Sequence, residues 1–465
     1  MEGHDSCGGA SKHCLFIPDM ESLTMRKKRV AAVIAAVFST LSLGSHAAAL
    51  GDLFTQGKVD GELRAYDFTR DYGIETKEKP SSHAFAAAIL VNAKTASLYG
   101  FSLGASLVSA NSLGTQSDNL KRIDTALMGP DNSLTALSQA YLQYQNSWLT
   151  LRGGYQYVDT PWEGASNGRA LPASYDALTA DFKPLAGWDV IALRSFGWKS
   201  RTSDGYFNDN LYYPTTYHGD SIYGNNGSLP PTAPSAPGTW ALGSTYISGG
   251  LKVQGWYYDF MKFAYMGYAD GSYVFNTVTG FNPVIGAQFV TETGGSDNIL
   301  VDTKTKILGV AGGDVKSRAW GVDLGLVIPN GRFDAYYNEL SQENGVVGGG
   351  AIISPYTVSY GSDPLYTTSM IRSLVAMGPG HAWRARAMYS FFDNKLQFVA
   401  AYAKYSTDLL GNIHDTYFDI VYNFDGYLKG LQLRDRWELS SSGAGNLSLG
   451  NGSVTYSRIM VSYKF

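Results

Sequence analysis

The chain has 465 residues, a formal net charge of −4 and 13% aromatic residues, with 53 glycines and 32 tyrosines. The negative charge argues against nucleic acid as a partner, because surfaces that bind nucleic acid carry an excess of Lys and Arg. The two cysteines, Cys7 and Cys14, precede a predicted signal peptide. The processed protein is therefore expected to have no disulfide and no cysteine-based metal or catalytic site.

The N-terminal region carries the pattern of a secretory signal. A basic segment at residues 25–29 precedes an apolar run and then a series of small residues, which is typical of a cleavable signal peptide. We assign residues 25–48 to this signal and expect cleavage between Ala47 and Leu50. Residues 1–24 have no hydrophobic periodicity, and we interpret them as a non-structural extension or a mis-assigned translation start. A true N-terminal tail is the alternative.

The remaining chain shows the periodicity of β-strands. It has no uninterrupted apolar run of the roughly 18 residues that a transmembrane helix needs. Segments in which apolar and polar residues alternate recur instead, as in strands with one apolar face and one wet face. Eighteen such segments begin near residues 59, 81, 97, 137, 148, 174, 188, 239, 251, 265, 282, 315, 332, 380, 395, 413, 429 and 453.

The connections between these segments alternate in length. Compact turns, of which Pro329-Asn-Gly331 is the strongest hairpin signal, separate longer segments such as residues 110–136, 200–238 and 342–379. Short turns at one end and long loops at the other are typical of an outer-membrane barrel, whereas a soluble all-β protein need not sort its connections by length. We predict an all-β fold, a transmembrane antiparallel β-barrel of eighteen strands that residues 49–465 form as one domain. Sixteen strands is the alternative, because strands 6, 10 and 11 alternate weakly.

The last strand supports a location in a membrane. Ile459, Val461, Tyr463 and Phe465 fall on one face of it, and charged or polar residues such as Arg458 fall on the other. A terminal aromatic residue suits the interfacial girdle of a barrel. This ending resembles the C-terminal signature of bacterial outer-membrane barrels. The resemblance implies the outer membrane of a Gram-negative bacterium and recognition of this strand by the barrel-assembly machinery.

Five further segments resemble one family. They are Leu63–Asp71, Leu151–Gly154, Gly168–Pro172, Gly378–Arg386 and Leu433–Trp437. Their sequences and their order along the strands are similar to those of the OprD family of substrate-selective outer-membrane porins. The resemblance implies a passive diffusion channel with a substrate preference.

Strand parity predicts a row of arginines in the channel. A cationic side chain on the lipid face near the bilayer midplane costs roughly 2–4 kcal/mol, so mid-strand arginines are expected to face the lumen. Guanidinium groups bind carboxylates through two parallel hydrogen bonds, so a ladder of them would guide small carboxylate-containing solutes. The predicted lumenal arginines are Arg64, Arg152, Arg384, Arg386, Arg434, Arg436 and Arg458.

Acidic residues bear on this prediction in two ways. Asp323, Asp334 and Asp419 have lumenal parity and are expected to form a wall opposite the arginines, which would create a transverse field. The alternative is that the arginines pair with lumenal acids and only neutralise a wet interior. Asp435 shares the apolar face of its strand, and we have no account of it beyond its position near a strand end.

One loop residue joins the candidate substrate-binding set. The segment Asp159–Ala173 resembles the family's inward-folded third loop, which narrows the pore. Arg169 lies in this segment, and the resemblance places it at the constriction. An ordinary exposed loop arginine is the alternative.

An enzyme is not expected. The histidines after the signal are His83, His218, His381 and His414, and they form no His-Glu-x-x-His motif. The sequence has no Gly-x-Ser-x-Gly elbow and no phosphate-binding glycine loop. We expect no cofactor and no metal. The expected partners are outer-membrane lipid and small anionic solutes, with the barrel as a monomer or a weak trimer. A general porin, or a barrel with an enzymatic or adhesive role, is the alternative function.

Overall fold

The structure is a computed structural model that describes residues 46–77, 80–206, 237–295, 297–353, 362–442 and 452–465. The chain divides into two units, Met1–Gln56 and Gly57–Phe465. In the first unit, helix α1 spans His46–Thr55 and contains the predicted cleavage site after Ala48. Residues 1–45, with most of the predicted signal peptide, lie outside the described residues, so that assignment stays a prediction.

The second unit is a single 18-stranded antiparallel sheet. It closes on itself, because β1 pairs with β18 from Glu62–Lys464 to Tyr72–Val454 and also with β2. The strands are β1 Lys58–Tyr72, β2 Ser82–Lys94, β3 Phe101–Asn111, β4 Ser133–Gln145, β5 Leu149–Gln156, β6 Ser174–Phe182, β7 Trp188–Lys199, β8 Thr239–Ser248, β9 Leu251–Phe260, β10 Ala264–Val274, β11 Asn282–Thr293, β12 Lys316–Ile328, β13 Gly331–Leu340, β14 Gly380–Phe391, β15 Leu396–Thr407, β16 Gly411–Asn423, β17 Leu431–Ser442 and β18 Ser453–Lys464. Short helices α2 (Ile299–Asp302) and α3 (Leu374–Met377) lie in the connections, with 3₁₀ turns at Leu120–Arg122, Val347–Gly349 and Gly426–Leu428.

The prediction of a closed eighteen-stranded barrel is confirmed, and the alternative of sixteen strands is wrong. The largest deviations in strand starts are at β3 and β4, which begin at Phe101 and Ser133 rather than near 97 and 137. A bulge at Ser138 explains the deviation at β4, since Gln139 and Leu137 pair with consecutive residues of β3. The bulge reverses the in/out alternation, so the first residues of β4 are out of phase with the rest. No helix in the described part of the chain is long and apolar enough to cross a membrane.

The two faces of the strands differ as predicted. On β17, Leu433, Trp437 and Leu439 are exposed on the outer surface, while Arg434 and Arg436 alternate with them and point inward. The outward-facing Asp435 accepts a hydrogen bond at 2.8 Å from the indole Nε1 of Trp437. A neighbouring aromatic donor therefore provides a hydrogen bond to Asp435, which the sequence left unexplained. Asp435 is the fifth residue of the strand.

The connections separate into a turn end and a loop end. Turns such as residues 329–330 lie at the turn end, and the longer connections lie at the loop end, where residues 261–263 and 408–410 are nonetheless tight. Several connections of the loop end pack against inward-facing side chains, and two of them contact the candidate site. We call residues 157–173 the third loop and residues 341–379 the seventh loop.

Candidate functional site

The inner wall formed by β16 and β17 holds the first arginine cluster. The Arg434 guanidinium binds Asp419 through both carboxylate oxygens, Nε to Oδ1 at 2.8 Å and Nη2 to Oδ2 at 2.6 Å. Arg436 donates from Nε and Nη2 to the hydroxyl of Tyr417 at 3.0 and 2.9 Å, and that hydroxyl donates to Asp419 at 2.7 Å. The Arg434 and Arg436 side chains keep 31% and 16% of their surface exposed, whereas that of Asp419 keeps 6%. The cations therefore face the lumen, and their shared acid lies behind them.

A second cluster spans β12, β13 and β14. Asp334 is buried and accepts from Arg332 at 2.5 Å and from Arg386 Nη1 at 3.3 Å. The other side of Arg332 donates from Nη2 to Asp323 at 2.8 Å. Arg386 keeps 26% of its side chain exposed, so this cluster also presents guanidinium groups to the interior. The sequence reasoning missed Arg332, although it shares the lumenal parity of Asp334.

The acids do not form the opposite wall that was predicted. Asp419 and Asp334 are direct partners of the arginines, and Asp323 is a partner of Arg332. Residues of like parity on adjacent antiparallel strands lie side by side, as Asp334 does with Arg386 and Asp419 with Arg436. The prediction of a transverse field between separate walls is therefore wrong.

Arg384 and Arg152 have uncharged acceptors. Arg384 Nη1 donates at 2.6 Å to the backbone carbonyl of Thr368 in the seventh loop. Arg152 donates to the side-chain oxygen of Gln143 from Nε and Nη2, at 3.2 and 2.9 Å. Both side chains are half-buried on the inward face, as parity predicted.

Arg64 is fully engaged by the protein. Its Nε and Nη2 donate to the two oxygens of Glu62 at 2.9 Å each, and Nη2 also donates to Asn167 Oδ1 at 2.7 Å. Its Nη1 donates to the backbone carbonyls of Arg169 and Ala170 at 2.9 and 3.3 Å. With 1% of its side chain exposed, Arg64 attaches the third loop to β1 and presents almost no surface to the barrel interior.

Arg458 on β18 and Arg169 in the third loop are both buried, and both lie over the ring of Phe68. The Arg458 guanidinium carbon lies 4.4 Å from the ring centre of Tyr456 and 4.8 Å from that of Phe68, and the residue is 1% exposed. Arg169 lies 5.7 Å from the same Phe68 ring and is also buried. The arginines of the β1–β18 wall therefore stack on aromatic rings instead of lining the open interior.

The third loop crosses the interior, as the resemblance implied. Trp162 is fully buried, its backbone N–H donates to the Tyr258 hydroxyl at 3.3 Å, and its ring meets that of Tyr268 edge-on at 6.0 Å. Glu163 follows it and is also buried. Burial raises the pKa of Glu163 to about 8, and the nearby Thr239 hydroxyl and Arg194 guanidinium oppose this rise. The loop therefore carries a buried carboxyl group whose pKa lies well above its ordinary value.

The seventh loop also enters the barrel, which sequence reasoning did not establish. The backbone N–H of Ile371 donates to both carboxylate oxygens of Glu438, at 3.1 and 3.0 Å. The Tyr366 hydroxyl donates to Asp270 at 2.6 Å. Between the two loops lies a cavity of about 460 Å³ whose lining includes Asp159, Asn167, Ser362 and Asp363. The two loops together narrow the interior.

Among the described residues, no group of three His, Cys, Asp or Glu side chains could hold a metal ion. No protein-family model and no curated protein matches the sequence.

Solved structures do match the fold. OccAB3 of Acinetobacter baumannii superimposes with a TM-score of 0.71 at 17% identity, covering 88% of this chain and 99% of that one. A BenF-like porin from Pseudomonas fluorescens Pf-5 matches with a TM-score of 0.67 at 14% identity, with coverage of 89% and 99%. OpdK of Pseudomonas aeruginosa, solved with vanillate, matches with a TM-score of 0.65 at 15% identity, again with coverage of 89% and 99%. The resemblance stated from the sequence is thus confirmed at the level of the fold, which this chain shares along almost the full length of these barrels.

Proposed function

We propose that this chain is an OprD-family porin of a Gram-negative outer membrane and acts as a passive channel for small carboxylate-containing solutes. The closed barrel, the apolar outer face and the likeness to a structure described as a porin support the porin function. No energy source is involved, and the solute moves down its concentration gradient.

The observation that carries the solute preference is the set of partly exposed guanidinium groups on the inner wall formed by β13 to β17, which we call the β13–β17 wall. Arg386, Arg434 and Arg436 each present donors to the interior beside loops that narrow it. Among the described residues, the Nη1 groups of Arg434 and Arg436 have no hydrogen-bond partner and are available to a solute. A charge-assisted bond from each would hold a carboxylate briefly and then release it. The vanillate in the OpdK structure is itself a carboxylate, which supports this solute class.

The remaining partners follow from the barrel. Outer-membrane lipid would contact exposed residues such as Ile459 and Trp437. The assembly machinery would recognise β18, which ends at Phe465 beside β1. We keep the assignment of residues 25–48 as a signal peptide, and a monomer or a weak trimer as the functional form.

A general porin is the second candidate, and the pairing of arginines with Asp334 and Asp419 favours it. Under this reading the guanidinium groups only neutralise lumenal acids, and solutes pass according to size. The two functions differ in whether loss of a cation changes charged and neutral solutes unequally.

Uptake into liposomes tests the proposal. Arg386→Ala and Arg434→Ala should each lower the uptake of a small carboxylate several-fold, while a neutral solute of similar size passes at least as fast. Lysine at either position should restore only part of the loss, because an ammonium group keeps the charge but not the planar fork. Arg318→Ala is the matched control, since Arg318 lies on the outer face and pairs with Glu343 at 3.3 Å. Unchanged carboxylate uptake, or equal loss of both solutes, would contradict the proposed selectivity.

A further inference from the structure

Arg434 and Arg436 share one buried acid, and its position suggests a role in solute release. We propose that Asp419 is a positioning residue that limits how tightly the Arg434–Arg436 pair holds a permeating carboxylate. The inference rests on the proposed function, because it concerns the strength of that same site.

The geometry shows how Asp419 would act through its partners. Its two oxygens accept from the Nε and Nη2 groups of Arg434, which form one of the guanidinium edges that can bind a carboxylate through two hydrogen bonds. The corresponding edge of Arg436 donates to the Tyr417 hydroxyl, which donates in turn to Asp419. An internal carboxylate and a phenol thus already occupy the Nε/Nη2 edge of Arg434 and of Arg436, respectively. A solute meets only the outer N–H groups.

Asp419 does not contact the solute path itself. Its side chain is nearly buried behind the two arginines, and Arg436 lies 3.7 Å from it. Two cations and one acid leave this cluster with a net charge of +1. Conduction requires binding that is favourable on entry and weak enough to allow exit. Removing the charge of Asp419 would raise the net charge of this cluster from +1 to +2. Both guanidinium groups could then bind the same carboxylate.

The second cluster offers an internal comparison. Arg332 and Arg386 face two acids, Asp334 and Asp323, so that group is formally neutral. The charge that remains at the β16–β17 wall therefore makes Asp419 the acid whose removal should strengthen solute binding most. Loss of Asp334 should also strengthen carboxylate binding, but less, because the second cluster starts from a net charge of zero and not from +1.

The concentration dependence of carboxylate flux in liposomes tests the proposal. Asp419→Asn should lower the half-saturating carboxylate concentration, on the order of tenfold for a unit charge this close, and should also lower the maximal flux. A neutral solute should pass as in the wild type. Asp419→Glu should stay close to the wild type, because it keeps the charge. In Arg434→Ala the added Asp419→Asn change should have much less effect.

The outcomes separate this proposal from the proposed function. If Arg434→Ala does not change carboxylate uptake in an otherwise wild-type barrel, the proposed function fails. If Arg434→Ala lowers uptake but Asp419→Asn leaves the half-saturating concentration unchanged or raises it, only the role of Asp419 is overturned. An equal change in neutral-solute flux would also overturn it, because it would mean that Asp419 only holds the wall in shape.

Discussion

Two walls of the barrel carry arginines of the same inward parity, but the structure gives them different environments. On the β1–β18 wall, Arg64 and Arg458 are almost completely buried. On the β13–β17 wall, Arg386 and Arg434 keep about a quarter to a third of their side chains exposed. Parity decides which face a side chain takes. The loops decide whether a solute reaches it.

The difference follows from how each loop meets its wall. The third loop lies directly on Arg64, whose guanidinium bonds to its backbone carbonyls and to Asn167. The seventh loop bonds to Arg384, Tyr405 and Glu438 on the other wall. Among the described residues, none of its hydrogen bonds goes to Arg386, Arg434 or Arg436. The exposed guanidinium groups lie beside these contacts. The arginines of the first wall are therefore engaged by the protein, and the proposed solute contacts fall on the second wall.

Replacing Arg64 should give the largest effect on stability. Arg64→Ala removes every bond that this side chain makes to the third loop and leaves Glu62 without its cation. Breaking a buried pair from one side costs roughly 3–5 kcal/mol. Unfolding in detergent should show this loss, and neutral-solute flux should rise as the loop loosens. The comparison fails if Arg64→Ala keeps full stability and lowers carboxylate uptake as Arg434→Ala is expected to do.

Arg458 tests whether a buried arginine takes part in transport. Arg458→Met should leave carboxylate uptake within about twofold of the wild type, because the side chain is covered and stacked between Tyr456 and Phe68. An apolar chain of similar length keeps that packing, whereas Arg458→Ala leaves a cavity and should cost about 2–4 kcal/mol. Liposome uptake and unfolding measurements give the two readouts. A several-fold loss of uptake in the methionine variant would place Arg458 on the solute path.

The stability of the barrel should depend on pH through Glu163, which is buried in the third loop. Its pKa is raised from 4.5 to about 8 by burial, so the folded barrel holds a proton that the unfolded chain releases. The stabilisation that the buried, protonated carboxyl group contributes is complete below the pKa of the unfolded chain. It is lost as the pH rises towards and through 8. The thermal midpoint of the wild type, relative to that of Glu163→Gln, should therefore fall between about pH 5 and pH 8 and then level off. A constant difference across this range would contradict the burial of Glu163.

The smallest effect is expected on the outside of β17. Asp435 lies between the inward Arg434 and Arg436 but faces outward, where only Trp437 donates to it among the described residues. Asp435→Leu should stabilise the barrel in lipid vesicles by roughly 1 kcal/mol, since an acid on the lipid face is unfavourable. Asp435→Asn is the control that keeps the shape. A lower free energy of unfolding for the leucine variant would show that this position does not face lipid.

Most of the barrel could be predicted from the sequence, because a strand with one apolar and one wet face shows a local alternation of apolar and polar residues. The starts of β6, β7, β8, β9 and β11 agree with prediction to the residue, although β6 and β11 were among the weakest patterns. The late predicted start of β4 also has a local cause. The bulge at Ser138 reversed the alternation in β4 and delayed its predicted start.

The candidate site could be predicted only in part. Parity placed Arg386, Arg434 and Arg436 on the inner wall, and it also suggested Arg64 and Arg458, which the structure buries. It placed Asp419 and Asp334 inside but not beside the arginines, because pairing depends on the register between adjacent strands. Arg332 was missed, although the same parity rule applies to it.

The sequence by itself determined the strands and the face that each side chain takes, because these depend on hydrophobic periodicity over a few residues. Only the tertiary structure decided which arginines are open to a solute. That choice depends on where the third and seventh loops pack and on which acid lies next to each cation. Such contacts join residues far apart in the chain, as Arg64 and Ala170 are, and no local pattern encodes them.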